Sequence, residues 1–383
     1  MVSGRSLPEE IMQSLSRETR NMFITLGTMG KEHRKDHHNE ISAETFKHLY
    51  TILDERISSS PSGRHLGHYK AATKSDKLST IHSLVMTIPA LTGISPSRWH
   101  QIVDIMLEKK PGDRRIHRFH IIALQESDFD QVNRLPIGRP VQHQLEDKGI
   151  LPDIQHGSRA SKQCHSAVLN KVISFKIHRY KKQPLAFIEN DAVGCFDRIA
   201  NPFVLMVLRI LGVAAPILES LARTWEQSFH RIRSLYGISE EFYSNTSERL
   251  LFGPGQGSTI GPFLWLLCFL LISKSLSKDA PKIYLQSADL TTKVEYVGEA
   301  FVDDTGLGTN DSVPSTTSPK VCTAAHSGLI YNLQRLAQEW EKLLFSTGGA
   351  LNLEKCFWFL LSWKWVRGKA ICILRNLLQD RCS

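Results

Sequence analysis

Two acidic stretches, roughly 110 residues apart, constrain this chain more than any other feature of its sequence. The first places Asp191 after the apolar run 184–188, and the second contains Asp303 and Asp304 followed by Gly306. A short apolar run predicts a buried strand, and an aspartate pair followed by glycine predicts a hairpin with acid at its tip. We therefore expect the ends of two strands to bring three carboxylates together.

Converging carboxylates repel one another, and one of them binds a proton unless a cation lies between them. Mg²⁺ prefers oxygen ligands and is held by one or two carboxylates together with phosphate oxygens and water. Two such ions about 3.5–4 Å apart serve many phosphoryl-transfer enzymes. An Asp-Asp pair alone is also common in solvated turns, so the surrounding sequence must decide between a metal centre and a surface turn.

Two further blocks accompany the acidic stretches. Residues 251–262 are rich in glycine and contain Gly255, Gln256 and Gly257. Glycine lets the backbone approach a substrate closely, and no Gly-Lys-Ser/Thr follows, so the block is not a P-loop. The last block, residues 348–355, ends in Lys355.

In this order, the four blocks resemble the motifs of retrotransposon-type reverse transcriptases, which are RNA-directed DNA polymerases. The Asp191 block is similar to the first motif of the palm, 251–262 to the second, Phe301-Val302-Asp303-Asp304 to the third and 348–355 to the fourth. The resemblance implies an α+β fold. It implies a right-hand polymerase palm, an antiparallel sheet backed by helices, with fingers and with the thumb largely absent. The corresponding segments are an N-terminal helical extension (1–58), a fingers-like region (59–183), the palm (184–365) and a C-terminal tail (366–383).

The resemblance also implies an activity, the addition of deoxynucleotides to a primer by two-metal phosphoryl transfer. Asp191, Asp303 and Asp304 would hold two Mg²⁺ ions, with Mn²⁺ as a substitute. The primer 3′-hydroxyl would attack the α-phosphate, and Lys355 would be the general acid for the pyrophosphate leaving group. The implied partners are an RNA template, a DNA primer and a deoxynucleoside triphosphate.

Seven residues are expected to bind the substrates. By the same resemblance, Phe196 would take the position of the steric gate that excludes a 2′-hydroxyl. Asp197 is not expected to bind metal. The second motif would position the template and nucleotide, and three cations would neutralise phosphates; the seven are Phe196, Gly255, Gln256, Gly257, Lys110, Arg118 and Arg159.

The fingers hairpin departs from the family pattern. Pro111 and Gly112 predict a turn between basic residues and a following strand. Where the family has an arginine before the apolar residues of that strand, this chain has His120, with Arg118 two positions earlier on the same expected strand face. Either Arg118 substitutes for the missing arginine, or nucleotide binding is weakened.

Hydrophobic periodicity predicts helices in several places. The block from Gln155 to Lys162 is expected to open a helix that runs to about Tyr180. Its predicted buried stripe is Ala167, Val168, Val172 and Phe175. Leucines at three- and four-residue spacing from Leu329 to Leu343 predict an amphipathic helix beneath the sheet.

Composition and charge limit the classes of partner that we expect for this chain. The net charge of +9 suits a polyanion such as nucleic acid. Seven scattered cysteines, with no Cys-x-x-Cys pair, favour a reduced intracellular protein without a zinc site. The longest apolar run, Ile260 to Ile272, is shorter than the roughly 20 residues that span a bilayer, so no membrane partner is expected. The oligomeric state is left open.

Two alternatives to the polymerase remain at this stage. A catalytically inactive nucleic-acid-binding relic would keep the fold, and His120 and the missing thumb are compatible with it. A metal-dependent nuclease or other phosphotransferase would share the carboxylates but would leave the Gly-Gln-Gly loop unexplained.

Overall fold

The structure is a computed structural model that describes residues 8–56, 60–113, 115–276, 278–287, 289–310, 319–367 and 369–376. Its helices are α1 (Glu9–Ser14), α2 (Arg17–His33), α3 (Ala43–Ile52), α4 (Leu66–Ala72), α5 (Asp76–Thr92), α6 (Ser127–Asn133), α7 (Arg139–Asp147), α8 (Cys164–Lys181), α9 (Asn201–Leu211), α10 (Ala215–Glu226), α11 (Gly261–Ser275) and α12 (Pro319–Ser346). Its strands are β1 (Gln101–Glu108), β2 (Phe119–Leu124), β3 (Leu185–Asn190), β4 (Phe229–Ser234), β5 (Gly237–Ile238), β6 (Tyr243–Ser244), β7 (Ile283–Gln286), β8 (Lys293–Tyr296), β9 (Gly298–Phe301), β10 (Asp304–Asn310), β11 (Phe357–Val366) and β12 (Lys369–Asn376).

The chain divides into two compact units, each built from separate stretches of sequence. The first unit comprises Met1–Ser14, Leu26–Ile150 and Phe196–Leu267, and the second comprises Leu15–Thr25, Leu151–Cys195 and Cys268–Ser383. Each contains a sheet and several helices. The α+β class is therefore confirmed.

The sheet of the second unit has the strand order β12-β11-β3-β10-β9, and all its pairs are antiparallel. The central strand β3 is apolar on both faces because successive side chains point to opposite sides. Leu185 and Phe187 join a buried cluster with Leu361, while Ala186 packs with Leu333 of α12 on the other face. The prediction that the leucine-rich helix lies beneath the sheet is confirmed.

Two glycines of β10 make room for an aromatic ring. A Cβ on Gly306 would lie 2.5 Å from Phe187 Cε1, and one on Gly308 would lie 2.6 Å from Phe187 Cδ2. The Phe187 ring therefore lies across β10, where two side chains would otherwise project. This ring fills the layer between the sheet and the neighbouring Phe175 of α8.

The sheet of the first unit has the order β2-β1-β4-β5, with β6 also paired to β4. Strands β1 and β2 form an antiparallel hairpin in which Glu108 faces Phe119, and Pro111 and Gly112 lie in its turn. The predicted hairpin is confirmed. Arg118, however, lies in a 3₁₀ turn before β2 and not on a strand face.

Helix α8 differs from its prediction in its start and in half of its buried stripe, since Ala167 is buried and Phe175 packs against Phe187 as predicted. It begins at Cys164, so the block from Gln155 precedes it. Val168 and Val172 are 55% and 42% exposed. The buried positions include His178, because hydrogen bonds to Ser174 O and Asn310 Nδ2 satisfy its ring nitrogens. Hydrogen bonds thus allow a polar side of the helix to be buried.

The segment before the Asp303 turn is divided between two strands. Tyr296 ends β8, which pairs with β7, and β9 begins at Gly298 and pairs with β10. The predicted C-terminal tail contributes β12, which pairs with β11 along eight residues. Among the described helices, none combines the length and the apolar character needed to cross a membrane.

Candidate active site

Asp191 follows the last residue of β3 and is fixed by backbone pairing on both sides. Asn190 faces Thr305 of β10 in the sheet. The Asp191 carbonyl oxygen accepts a hydrogen bond from Asn352 N at 2.8 Å, and Ala192 forms a bridge with Leu351. These contacts fix the backbone around Asp191 between β10 and the segment 351–352, both in the second unit.

The half-buried Asp191 carboxylate has two partners. Its Oδ2 accepts a hydrogen bond from Asn352 Nδ2 at 3.0 Å and lies 2.9 Å from Lys355 Nζ. The hydrogen bond to Asp191 raises the pKa of Lys355, and the charges of Asp303 and Asp304 add to the rise. Lys355 therefore keeps its proton at neutral pH.

Asp303 lies in the turn that joins β9 and β10, and Asp304 begins β10. Phe301 and Asp304 face each other across the hairpin, which leaves Val302 and Asp303 as a two-residue turn. The prediction of acid at a hairpin tip is confirmed. Such turns need positive φ at the first central residue, a requirement that usually selects glycine or asparagine.

Val302 has a φ of +58°, which is an unfavourable conformation for a β-branched residue. Holding it costs on the order of 1–3 kcal/mol and requires the surroundings to impose it. Strain of this kind is common where a side chain must be aimed at a substrate.

Gln155 supplies that support. Its Oε1 accepts a hydrogen bond from Val302 N at 2.9 Å, and its Nε2 donates to Val302 O at 3.0 Å. The same Oε1 accepts from Gly157 N at 2.8 Å. Gln155 is 1% exposed, so these bonds lie away from water. One amide thus holds both polar groups of the strained residue.

The segment that carries Gln155 is itself attached to β9. Ala300 N donates to Ile154 O, and His156 N donates to Ala300 O, both at 2.8 Å. His156 Nε2 lies 2.8 Å from the buried Glu299 carboxylate. A Cβ on Gly157 would lie 2.3 Å from Val302 N, so only glycine permits this approach.

The three carboxylates are electrostatically coupled. Burial raises the pKa of Asp303, and the charges of Asp304 and Asp191 raise it further, while Lys355 opposes the rise. A cavity of about 420 Å³ is lined by Asp191, Asp304 and Lys355 among others. The predicted catalytic residues Asp191, Asp303, Asp304 and Lys355 are therefore brought together.

Within the described ranges, no group of three or more histidine, cysteine, aspartate or glutamate side chains is arranged to hold a metal ion. Mg²⁺ does not require such a group, since one or two carboxylates with water and phosphate oxygens complete its coordination. The oxygen donors of Asp191, Asp303 and Asp304 have the chemistry that Mg²⁺ prefers. Their mutual repulsion would be relieved by a divalent cation.

The predicted glycine loop lies in the first unit, against β2. Gly253, Gly255 and Gly257 have φ of +75°, +79° and +110°. Gln256 O accepts a hydrogen bond from Ala123 N at 2.6 Å. A Cβ on Gly257 would lie 2.8 Å from Ala123 O, so this loop runs along the edge of the strand with no room for side chains at its glycines.

Two carboxylates anchor the glycine loop. Asp197 Oδ1 accepts a hydrogen bond from Gln256 N at 3.0 Å, and Asp130 Oδ1 accepts from Thr259 N at 3.1 Å. Burial raises the pKa of Asp197 and raises that of Asp130 to about 7. Asp197 thus has a structural role that the sequence did not suggest.

The remaining predicted residues are found on turns. Phe196 is half-buried in a 3₁₀ turn, and its Cδ1 lies 3.6 Å from the position of a Cβ on Gly261. Lys110 and Arg118 are exposed in the β1–β2 connection. Arg159, in the second unit, donates from Nη1 to Pro152 O at 2.7 Å and precedes α8.

Gln155 and Asn352 are the site residues that sequence reasoning missed. Gln155 lies in the same block as Arg159, and Asn352 in the same block as Lys355, but the motifs predict roles only for Arg159 and Lys355. A polar side chain that bonds to a distant backbone leaves no periodic signal.

The sequence matches no known protein-family model.

Proposed function

We propose that the chain is the core of an RNA-directed DNA polymerase with a palm and fingers, which extends a DNA primer on an RNA template. The observation that carries the proposal is the position of Asp191 and the Asp303 turn on neighbouring strands, with Lys355 Nζ 2.9 Å from Asp191. The order of the four motifs along the sequence supports the same reaction.

Asp191, Asp303 and Asp304 would hold the divalent metal, consistent with their oxygen donors and coupled charges. Bound Mg²⁺ would supply neutralisation of the phosphate charge and orientation of the reacting groups. The contribution of the chain is to fix the carboxylates. The strained turn and the Gln155 amide limit the positions that the Asp303 backbone can adopt.

Lys355 would donate a proton to the leaving pyrophosphate. Its raised pKa keeps the proton available at neutral pH, and its ammonium is largely exposed. Asn352 Nδ2, which donates to the same Oδ2 of Asp191, would keep its hydrogen bond while Lys355 moves to its substrate. Because Asn352 stays in place, Asp191 would keep one of its two side-chain contacts after Lys355 leaves.

The test is extension of a DNA primer on an RNA template with Mg²⁺. We expect Asp303→Asn to reduce extension by at least ~100-fold, since loss of groups outside the ligand shell already costs about 10–100-fold in metal sites. Asp279→Asn is a matched control, because Asp279 is an exposed aspartate paired with Arg335. Equal extension by Asp303→Asn and the unmodified chain would refute the polymerase assignment. Degradation of the labelled primer without extension would favour a nuclease.

A second candidate function, an inactive nucleic-acid-binding relic, is favoured by one observation. Lys355 and Asn352 occupy the same oxygen of Asp191, which an ammonium would then neutralise in place of a metal. A relic would bind primer–template with strong salt dependence, as expected for phosphate contacts. Neither the unmodified chain nor the Lys355→Ala variant of a relic would extend the primer, whether Mg²⁺ or Mn²⁺ is supplied.

A further inference from the structure

Helix α5 has its apolar side facing outward. The buried positions of the helix are Ser79, Ser83, Met86, Thr87, Pro89 and Ala90, which pack against α3 and α10. Seven aliphatic side chains on and just after the helix are between 46% and 59% exposed: Leu78, Ile81, Leu84, Val85, Ile88, Leu91 and Ile94. We call these seven residues the α5 stripe. Amphipathic helices in soluble proteins normally have the opposite orientation.

The stripe is continuous and uncharged. Its members recur at spacings of three and four residues, which places them on one side of the helix. No Asp, Glu, Lys or Arg occurs between Lys77 and Arg98. Seven half-exposed aliphatic side chains present on the order of several hundred Å² of apolar surface, a size that marks an interaction site on soluble proteins.

The stripe is also symmetric about its centre. Leu84 and Val85 lie on either side of the midpoint, Ile81 and Ile88 are equally far from it, and so are Leu78 and Leu91. In a two-fold dimer residue i of one copy contacts residue j of the other, and j contacts i, and the symmetric spacing of the stripe suits such an exchange of positions. An antiparallel pair of stripes would match an aliphatic side chain with another at each level.

The charges at the two ends of the helix complement each other in the same orientation. Lys77 is exposed at the N-terminal end. At the C-terminal end, Glu219 of α10 lies 3.0 Å from the position of a Cβ on Gly93. Glu219 is half exposed and only loosely paired with Arg223, at 3.9 Å. Antiparallel helices would bring Lys77 of one copy toward Glu219 of the other.

We propose that the α5 stripe is the interface of a homodimer, in which two copies of this chain pair their α5 helices antiparallel around a two-fold axis near Val85. Two stripes together would bury roughly 1,000 Å², near the lower limit for a specific interface. A membrane surface is a poorer fit, since helices that bind membranes carry Lys and Arg on a solvated polar face. The face of α5 opposite the stripe is buried in its own unit and contains no Lys or Arg.

The first test is the mass of the full chain in solution, measured by light scattering and sedimentation between about 1 and 100 µM, where an interface of this size typically associates. We expect a concentration-dependent dimer. Ile81→Glu combined with Ile88→Glu should raise the dimer Kd on the order of 1,000-fold, because carboxylates would be buried without partners. Ile24→Glu is the matched control, since Ile24 of α2 is 55% exposed and lies outside the stripe.

A charge exchange tests the antiparallel orientation. Lys77→Glu and Glu219→Lys should each weaken the dimer, by about 3- to 10-fold for exposed pairs, and the double variant should restore it. A chain that stays monomeric at every concentration would overturn the proposal. The dimer proposal would also be overturned if the unmodified monomer bound anionic lipid vesicles and the variant with Ile81→Glu and Ile88→Glu did not. That result would assign the stripe to a membrane surface.

Discussion

The turn at Val302–Asp303 and the loop from Gly253 to Gly257 both hold backbone at positive φ, but they do so by different means. The loop uses glycine at each such position, where this conformation carries little steric penalty. The turn uses valine and imposes the conformation through the Gln155 amide. Strain is thus concentrated in the turn that carries Asp303, whereas the glycine loop avoids it.

The side chains that hold the two segments also differ in chemistry. Gln155 is an amide, so its bonds to Val302 do not change with pH. The glycine loop is held by Asp197 and Asp130, whose pKa values are raised by burial. We therefore expect the anchoring of the glycine loop to change with pH. The anchoring of the Val302–Asp303 turn should instead depend on the hydrogen bonds that Gln155 makes to Val302. Three predictions separate these behaviours, in order of decreasing effect.

The largest effect is expected from Gly253→Ala. The new Cβ would lie 1.8 Å from Phe196 O, and alanine would also adopt an unfavourable φ of +75°. We expect a loss of about 3–5 kcal/mol in the free energy of unfolding, since overpacking and the backbone penalty add. The measurement is chemical denaturation followed by circular dichroism.

Gly63→Ala is the control for Gly253→Ala. Gly63 has a φ of +77°, yet a Cβ there would meet no atom within 4 Å. It should lose only about 1 kcal/mol. Similar losses in both variants would mean that the contact with Phe196 has no part in holding the loop.

Gln155→Ala should have the next largest effect. Removing the amide leaves Val302 N–H and C=O without their partner and frees the strained turn, so we expect a loss of about 2 kcal/mol in stability. The rate of primer extension should fall by more than the fraction of folded protein does, because Asp303 would lose its fixed position. Gln155→Glu retains the acceptor for Val302 N–H and should lose less stability. Extension at the unmodified rate by Gln155→Ala would show that the turn needs no support.

The smallest effect concerns Asp130 and depends on pH. Its pKa rises from 3.8 to about 7 on folding, so the folded state binds more protons between these values. Stability should therefore fall as pH rises from about 4 to about 7. Asp130→Asn can still accept from Thr259 N and should remove this decline. Because Asp130 is partly exposed, we expect the variant to gain roughly 1–2 kcal/mol at pH 7.5 relative to pH 4.

The Asp130 effect is measured as the difference in unfolding free energy between the variant and the unmodified chain across pH. Glu299→Gln is the comparison, because burial raises the pKa of Glu299 to about 7 in the second unit. If the unfolding free energies of the unmodified chain and of Asp130→Asn change with pH in the same way, the decline belongs to another group.

Sequence patterns predicted the strands and hairpins that carry the site better than the contacts that fix it. The apolar run before Asp191 and the Asp-Asp-x-Gly turn are local signals, and both correspond to β3 and the β9–β10 hairpin. The buried stripe of α8 was only half right: Ala167 is buried and Phe175 packs against Phe187, but Val168 and Val172 are exposed. His178 is buried on the same helix because its ring nitrogens have hydrogen-bond partners. The roles of Gln155 and Asp197 depend on residues far away in the sequence, which no local pattern encodes.

The Phe187 ring that lies across Gly306 and Gly308 links three positions that are distant in the chain. A side chain at either glycine would meet the ring at 2.5–2.6 Å. A variant that acquires a Cβ at 306 should therefore need a smaller residue at 187. One that acquires a Cβ at 308 should need smaller residues at both 187 and 283, because that Cβ would also lie 2.7 Å from Ile283 Cδ1. Substitutions at these glycines should be tolerated only together with such compensating changes, which gives the middle of the sheet a coupled pattern of sequence variation.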